Sequence, residues 1–405
     1  MMLLLLLQVA LAADLAIVGA TVLPVNAPPI EQGTVLVEDG KITAVGATVE
    51  VPDGTTVIDG TGKYLMPGII DVHSHMGVYP WPGASAHGDG NEAVMPVTAR
   101  VWAGDSVHVT DPAFSRARAG GVTTIMVLPG SANLIGGESI TLKLRPSRTL
   151  AGLRFSDAPR GIKMACGENP KRVYGGDVDG PSTRMGNLAA MRAAFQGALD
   201  YREARRTWRE KPPIDADKET LLDVMDGKIR VHIHCYRHDD IEGIYRVMDK
   251  YKIQVSSFHH ALEAYKVRDL LAAHGTGIAT WADWWGFKME AHDGIPYNAA
   301  LVRSAGVPVA IHSDSANQVQ RLYVQAAKTV RYGMSEAEAL RAITLGPAEL
   351  IGVDKRVGTI EVGKDADLAL FSHHPLDVYT RVLRTFIDGD EVYNRSEEGT
   401  PDARP

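Results

Sequence analysis

Two histidines separated by one serine, His73 and His75, close the apolar stretch "IIDVHSHMG". The side-chain period of a strand is two, so both imidazoles face the same way, about 7 Å apart along the backbone. Nitrogens from such a pair can converge on one ion at about 2.0–2.1 Å. A lone histidine is more often a satisfied core residue. The pair, after Asp71 and before Gly77, favours a metal instead. The theme recurs. "RVHIHCYRHDD" carries His232, His234 and His238; "VSSFHHALEAYK" carries His259 and His260; "VAIHSDS" carries His312 and Asp314. Only 14 histidines are present in 405 residues, and most of them fall where an apolar strand stops. Neutral imidazoles with carboxylates suit Zn2+ best, and a divalent cation held this way activates water for hydrolysis.

Such residues need strands that all end at one mouth. From about residue 67 to 350 the chain alternates apolar strands with amphipathic helices. "VTTIMVL", "GIKMA", "KIRVHIH", "KIQVSSF", "GIATW" and "VPVAIH" read as strands. "IEGIYRVMDKY", "EAYKVRDLLAAH" and "QRLYVQAAKTVRYG" have apolar residues at helical spacing. Ser335 and Glu338 in "MSEAEALRAI" form a capping box that opens another helix. Repeated β-then-α order predicts a parallel sheet, and about eight such units predict a closed (β/α)8 TIM barrel. The rival, an open doubly wound sheet, lacks a glycine-rich phosphate fingerprint. Both chain ends have a different texture of short strands and tight turns. "TVLVEDGKITAVG" is a hairpin turning at Asp39-Gly40. The expected fold class is therefore α/β: a barrel over 67–354 and a small composite β-sandwich domain from 14–66 and 355–395.

Hydrophobic content of 45% and charged content of 22% are globular values. A net charge of -7 without lysine or arginine runs gives no basis for nucleic-acid binding. The opening "MMLLLLLQVALAAD" has an apolar run, then small residues in an A-x-A pattern, and reads as a signal peptide over 1–13. Export to the periplasm or medium is the expectation, with no membrane association after cleavage. The two cysteines, Cys166 and Cys235, are no disulfide framework; they are expected as small buried apolar residues unless the fold makes them adjacent.

"PGIIDVHSHMG", the histidines ending two successive middle strands, the aspartate ending the last, and the closing "GTIEVGKDADLAL" together resemble the amidohydrolase superfamily. The similarity is strongest to its imidazolonepropionase-like group, which includes dipeptidase-like and carboxypeptidase-like members. It covers nearly the whole chain beyond the leader. What it implies is a barrel, a split β-domain and two divalent metal ions. Position by position, His73 and His75 match the first-strand pair, and His234 the fifth-strand ligand, with His232 a second candidate on the same face. His260 matches the sixth-strand ligand, whereas His259 is expected to face away. Asp314 matches the eighth-strand aspartate, a metal ligand and the proton-transferring catalytic residue. On the fourth strand, "GIKMACGENPKR", the metal bridge is either Lys163, carboxylated by carbon dioxide, or Glu168, with Lys163 favoured.

Tyr236 and Arg237 follow His234, and the resemblance implies that such a tyrosine holds a substrate carboxylate. Arg172 could do similar work, since arginine binds carboxylates bidentately. His312 shares the strand face of Asp314 and is expected to contact substrate or to support the metal ligands. Trp281, Trp284 and Trp285, with Lys288 nearby, either wall a pocket or anchor a loop. The leading function is an exported metal-dependent amidohydrolase cleaving a C–N bond in a small carboxylate-bearing substrate: a dipeptide, an N-acyl amino acid or a cyclic amide. The alternatives are a mononuclear deaminase of the same superfamily and, from another class, a non-catalytic binding barrel. The partner is a small molecule, and a homo-oligomer is left open.

Overall fold

Two eight-stranded sheets organise the chain. The computed structural model describes residues 14–177 and 180–397; the signal peptide expected over 1–13 lies outside the described residues. The first five strands are β1 (Leu15–Val22), β2 (Ile30–Glu38), β3 (Lys41–Gly46), β4 (Thr56–Asp59) and β5 (Tyr64–Pro67). The next eight are β6 (Ile69–Ser74), β7 (Val122–Val127), β8 (Ile135–Lys143), β9 (Gly161–Ala165), β10 (Arg230–Cys235), β11 (Val255–His260), β12 (Gly277–Thr280) and β13 (Val309–Ile311). The chain then returns through β14 (Leu368–Phe371), β15 (Val382–Ile387) and β16 (Asp390–Asn394).

β1–β5 and β14–β16 form one branched sheet, in the order β16-β15-β14-β5-β1-β2-β3 with β4 beside β1. Both chain ends thus complete one small domain. Its core is Ile17, Val35, Val37, Leu65, Leu368 and Phe386. The β2–β3 turn has positive φ at Asp39 (50°) and Gly40 (73°), the conformation that Asp-Gly supplies.

β6–β13 follow one another in sequence order around a barrel. β9 to β13 pair in parallel, as do β6 and β7. β8 departs from the expected all-parallel barrel: it is antiparallel to both β7 and β9. The physical reason is the short connection, residues 128–134, too short for the crossover that a parallel neighbour needs. The last and first strands are joined beyond their ladders, where the Asp314 amide donates to His73 O (3.1 Å) and the Ser313 amide to Asp71 Oδ1 (3.3 Å). The helices cover the outside. His238–Tyr251 buries Ile241, Ile244, Val247 and Met248, the stripe its spacing predicts. Ser335 caps Glu336–Arg341 by accepting from the Glu338 amide, as expected. No described helix is long and apolar enough to cross a membrane.

A buried ion cluster fastens the two units. Lys143, at the end of β8, pairs with Asp365 (2.7 Å), Asp367 (2.9 Å) and Asp388. The lysine is fully buried. Cys166 and Cys235, expected as separate apolar residues, are joined in a disulfide, because parallel pairing of β9 and β10 sets their exits side by side.

Candidate metal centre

Lys163 is level with His232 in the β9–β10 ladder, and His234 is level with His259 in the β10–β11 ladder. Laterally paired residues share a face, so these side chains all point into the barrel. His73 and His75 enter from β6. The Nε2 atoms of His73 and His75 lie 3.8 Å and 3.4 Å from Asp314 Oδ1. The His260 ring lies 4.6 Å from those of both His73 and His234, and 5.1 Å from that of His312. Lys163 is fully buried and donates to Pro129 O (3.1 Å).

His259 corrects the sequence reading. It was expected to face away, yet its Nδ1 sits 2.8 Å from His73 Nδ1. Strict alternation fails here because His260 and Ala261 take positive φ, 68° and 42°. The turn swings His260 back inward, so both neighbours face the interior. Asp314 also has positive φ, 49°. Strained backbone at two candidate ligands is characteristic of functional sites.

Surrounding groups orient the imidazoles. His75 Nδ1 meets Leu128 O at 2.8 Å, which leaves Nε2 facing Asp314. His234 Nδ1 meets Ser131 Oγ at 2.9 Å. Below, Ser257 Oγ contacts His232 Nδ1 (2.8 Å) and His259 Nε2 (2.9 Å). Asp71 is buried against the Ser313 hydroxyl and accepts from the His73 amide at 3.2 Å. Second contacts of this kind fix tautomer and ring orientation at metal sites.

Burial governs the titration. It pushes His75 and His312 down to about 3, with the Lys163 charge adding to the effect. His73, His234 and His260 are also held well below the usual imidazole range by burial. All are therefore neutral and able to donate a lone pair. Burial lowers the Lys163 ammonium and raises the Asp314 carboxyl, each opposed by the other's charge.

The residues fit a divalent cation. His73 Nε2, His260 Nδ1 and both nitrogens of His312 are buried without a hydrogen-bond partner among the described residues. His73, His75 and Asp314 bring one donor atom each within 4.8 Å of one another, as do His73, His260 and His312. Buried donors of this type call for a ligand.

Residues 64–392 match the amidohydrolase family. The chain belongs to that family. Its members are metal-dependent, which agrees with the donor set. A crystal structure of an amidohydrolase from Thermotoga maritima MSB8 is 38% identical, with a TM-score of 0.88, covering 94% of this chain and 100% of that one. The amidohydrolase tasK of Hapsidospora irregularis is 33% identical over 416 residues, 92% of this chain, which spans 42% of that relative's length. An imidazolonepropionase of a Geobacillus species is 26% identical over 396 residues, covering 84% of each chain.

Not every expected site residue of this amidohydrolase reaches the cluster. Glu168 lies at the rim, paired with Lys288 (2.9 Å). Its helix, Glu168–Tyr174, is preceded by Gly167, where φ is 76° and a Cβ would meet Glu290 Oε1 at 2.5 Å. Tyr236 is buried and stacks on His260, with centroids 5.1 Å apart and planes at 12°. Arg237 is turned to Asp239 (2.9 Å), and Arg172 is exposed. Sequence reasoning missed Ser131, Ser257, Asn169 and the rim ion group of Arg184, Asp240 and Glu290. Ser257 lies within β11, two residues before His259, so the strand period could have found it. The others have no spacing signal and are brought in by loops or helix ends.

Proposed function

We propose that the chain hydrolyses an amide-type C–N bond in a small carboxylate-bearing substrate: a dipeptide, an N-acyl amino acid or a cyclic amide. The observation that carries the reading is the convergence of His73 Nε2 and His75 Nε2 on Asp314 Oδ1, with buried Lys163 among the same histidines. His73, His75 and Asp314 would hold one cation; His234 and His260 would hold a second, with zinc the expected metal. Lys163 would bridge them after taking up carbon dioxide: its neutral amine adds to the carbon, loses a proton and becomes an anionic carbamate. A cation pair bound there supplies Lewis acidity for the carbonyl and lowers the pKa of water.

The remaining work falls to the chain itself. The Asp314 carboxylate, beside His73 and His75, can take a proton on its oxygen and pass it to the leaving nitrogen, a base turned acid. His259 fixes the His73 ring from behind. Leu128 O fixes His75, and Ser131 fixes His234. Tyr236 stacks on His260 and Trp281 packs against His312, walling one side of the centre. Glu168 is the alternative bridge, but its ion pair with Lys288 supports Lys163 instead. Export is supported by the buried disulfide, since such bonds persist in oxidising compartments.

The test is hydrolysis of a mixed panel of dipeptides and N-acyl amino acids by zinc-loaded protein, with metal content measured in parallel. The expected result is amine release with about two metals per chain. One metal per chain, no amine release from the panel, and ammonia release from an aminopurine added to it would favour the mononuclear deaminase. No metal and no turnover would leave a binding barrel.

A further inference from the structure

The candidate centre has an aromatic wall that continues outward without a break. His260 stacks on Trp281, with centroids 4.4 Å apart and planes at 24°. Trp281 stacks on Trp284 at 5.0 Å and 24°. Phe287 meets Trp281 and Trp284 edge-on at 5.8 Å and 6.0 Å, and meets Tyr236 at 6.1 Å. A row of rings therefore leads from a candidate ligand to the barrel mouth.

Its two ends differ. Trp281 is only 6% exposed, and its Nε1 donates to Ser313 O at 3.2 Å. That residue already anchors the loop. Trp284 and Phe287 are 38% and 51% exposed. Loop packing does not explain leaving two large rings so open to water. They lie on the loop after β12, at the strand ends where barrels build their sites. Beside them, Lys288 Nζ sits 3.9 Å over the Tyr236 ring and is held by Glu168. The wall therefore has a polar edge and an open apolar face.

The geometry points to a substrate subsite on the Trp284–Phe287 face, one that takes a flat apolar side chain next to the scissile amide. This rests on the hydrolase reading and names its substrate class: amides of aromatic amino acids, ahead of those with small side chains. A ring there stacks offset on Trp284 and edge-on to Phe287, both favoured arrangements. It also covers the exposed faces.

The test compares N-acetylphenylalanine with N-acetylalanine on the zinc-loaded enzyme. The ratio of their kcat/KM values should favour phenylalanine by on the order of 10- to 100-fold, the change that burying one ring gives. Trp284→Ala should bring the ratio to near unity, and Trp284→Phe should restore most of it. Met289→Ala, at a residue 81% exposed and outside the wall, should leave it unchanged. A ratio that survives both Trp284→Ala and Phe287→Ala would overturn the subsite. Calorimetric titration with 3-phenylpropionate and propionate separates the two readings. If neither amide is hydrolysed, the reaction is wrong, yet tighter binding of 3-phenylpropionate that is lost in Trp284→Ala still establishes the subsite. Equal binding of the two acids would overturn it.

Discussion

His259 Nδ1 lies 2.8 Å from His73 Nδ1, beneath the candidate metal centre. One of these nitrogens must donate and the other accept, so the two tautomers are coupled, and a lone pair on His73 Nε2 requires His73 Nδ1 to be the donor. His73 Nε2 is then the nitrogen turned to Asp314. His259 is accordingly a positioning residue. His259→Ala should weaken zinc binding by about 10- to 100-fold, as loss of such outer contacts does elsewhere. Competition with a chelator measures this, and the melting temperature shows whether the fold is intact. Unchanged zinc affinity would remove the role.

Lys163 should bind carbon dioxide. Reconstitution without bicarbonate is expected to lower metal uptake, and Lys163→Ala should lose the second metal. Added acetate or propionate should restore part of it by supplying a bridging carboxylate. Indifference to bicarbonate together with an inactive Glu168→Gln would transfer the bridge to Glu168.

The ion cluster between the domains gives a stability prediction. Lys143 is fully buried among Asp365, Asp367 and Asp388. Lys143→Met should destabilise the chain by about 3–5 kcal/mol, because buried Asp367 loses its ion-pair partner, while Asp365 keeps Lys41 and Arg356 and Asp388 keeps Arg145. Urea unfolding reads the change. A shift below about 1 kcal/mol would show that the cluster is solvated or rearranged.

Asp365 sets the acid side of that stability. Burial would raise its carboxyl, but Lys143, Lys41 and Arg356 outweigh burial and hold it at about 2. The unfolded carboxyl titrates near about 4. The folded value is the lower one, so its contribution is present above about pH 4 and is lost as pH falls towards 2. Asp367 works in the opposite sense, since burial raises its carboxyl. The gap in urea midpoint between the native chain and Asp365→Asn should therefore close as pH falls from 5 to 2. A gap constant over that range would refute the assignment.

The disulfide should matter to the barrel. Cys166 and Cys235 are separated by 69 residues in sequence. Opening such a loop typically costs about 2–4 kcal/mol. Cys235→Ser should lower the urea midpoint accordingly, and dithiothreitol should produce the same shift in the native chain but none in the variant.

Much of this architecture was legible because it is periodic. His73 and His75 advertised a strand end by their spacing, and the Asp39-Gly40 turn and Ser335 cap carry their own local chemistry. β8 was not legible. "IGGESITLK" has two glycines and no clean alternation, and its direction is set by the short link before it rather than by its residues. His259 was misread because alternation assumes regular backbone, which ends at His260. Arg237 was expected near substrate, but a carboxylate two residues away, Asp239, competes for it. Lys163 and Glu168 could not be told apart by spacing alone; the fold separates them, because Lys163 is buried inside the barrel and Glu168 pairs with Lys288 at its rim.

The most direct measurement is an anomalous difference map from a crystal of the zinc-loaded enzyme. Two peaks about 3.5–4 Å apart are expected, one beside His73, His75 and Asp314 and the other beside His234 and His260, with Lys163 density extended between them. A map with no peak among these residues would contradict the two-metal centre.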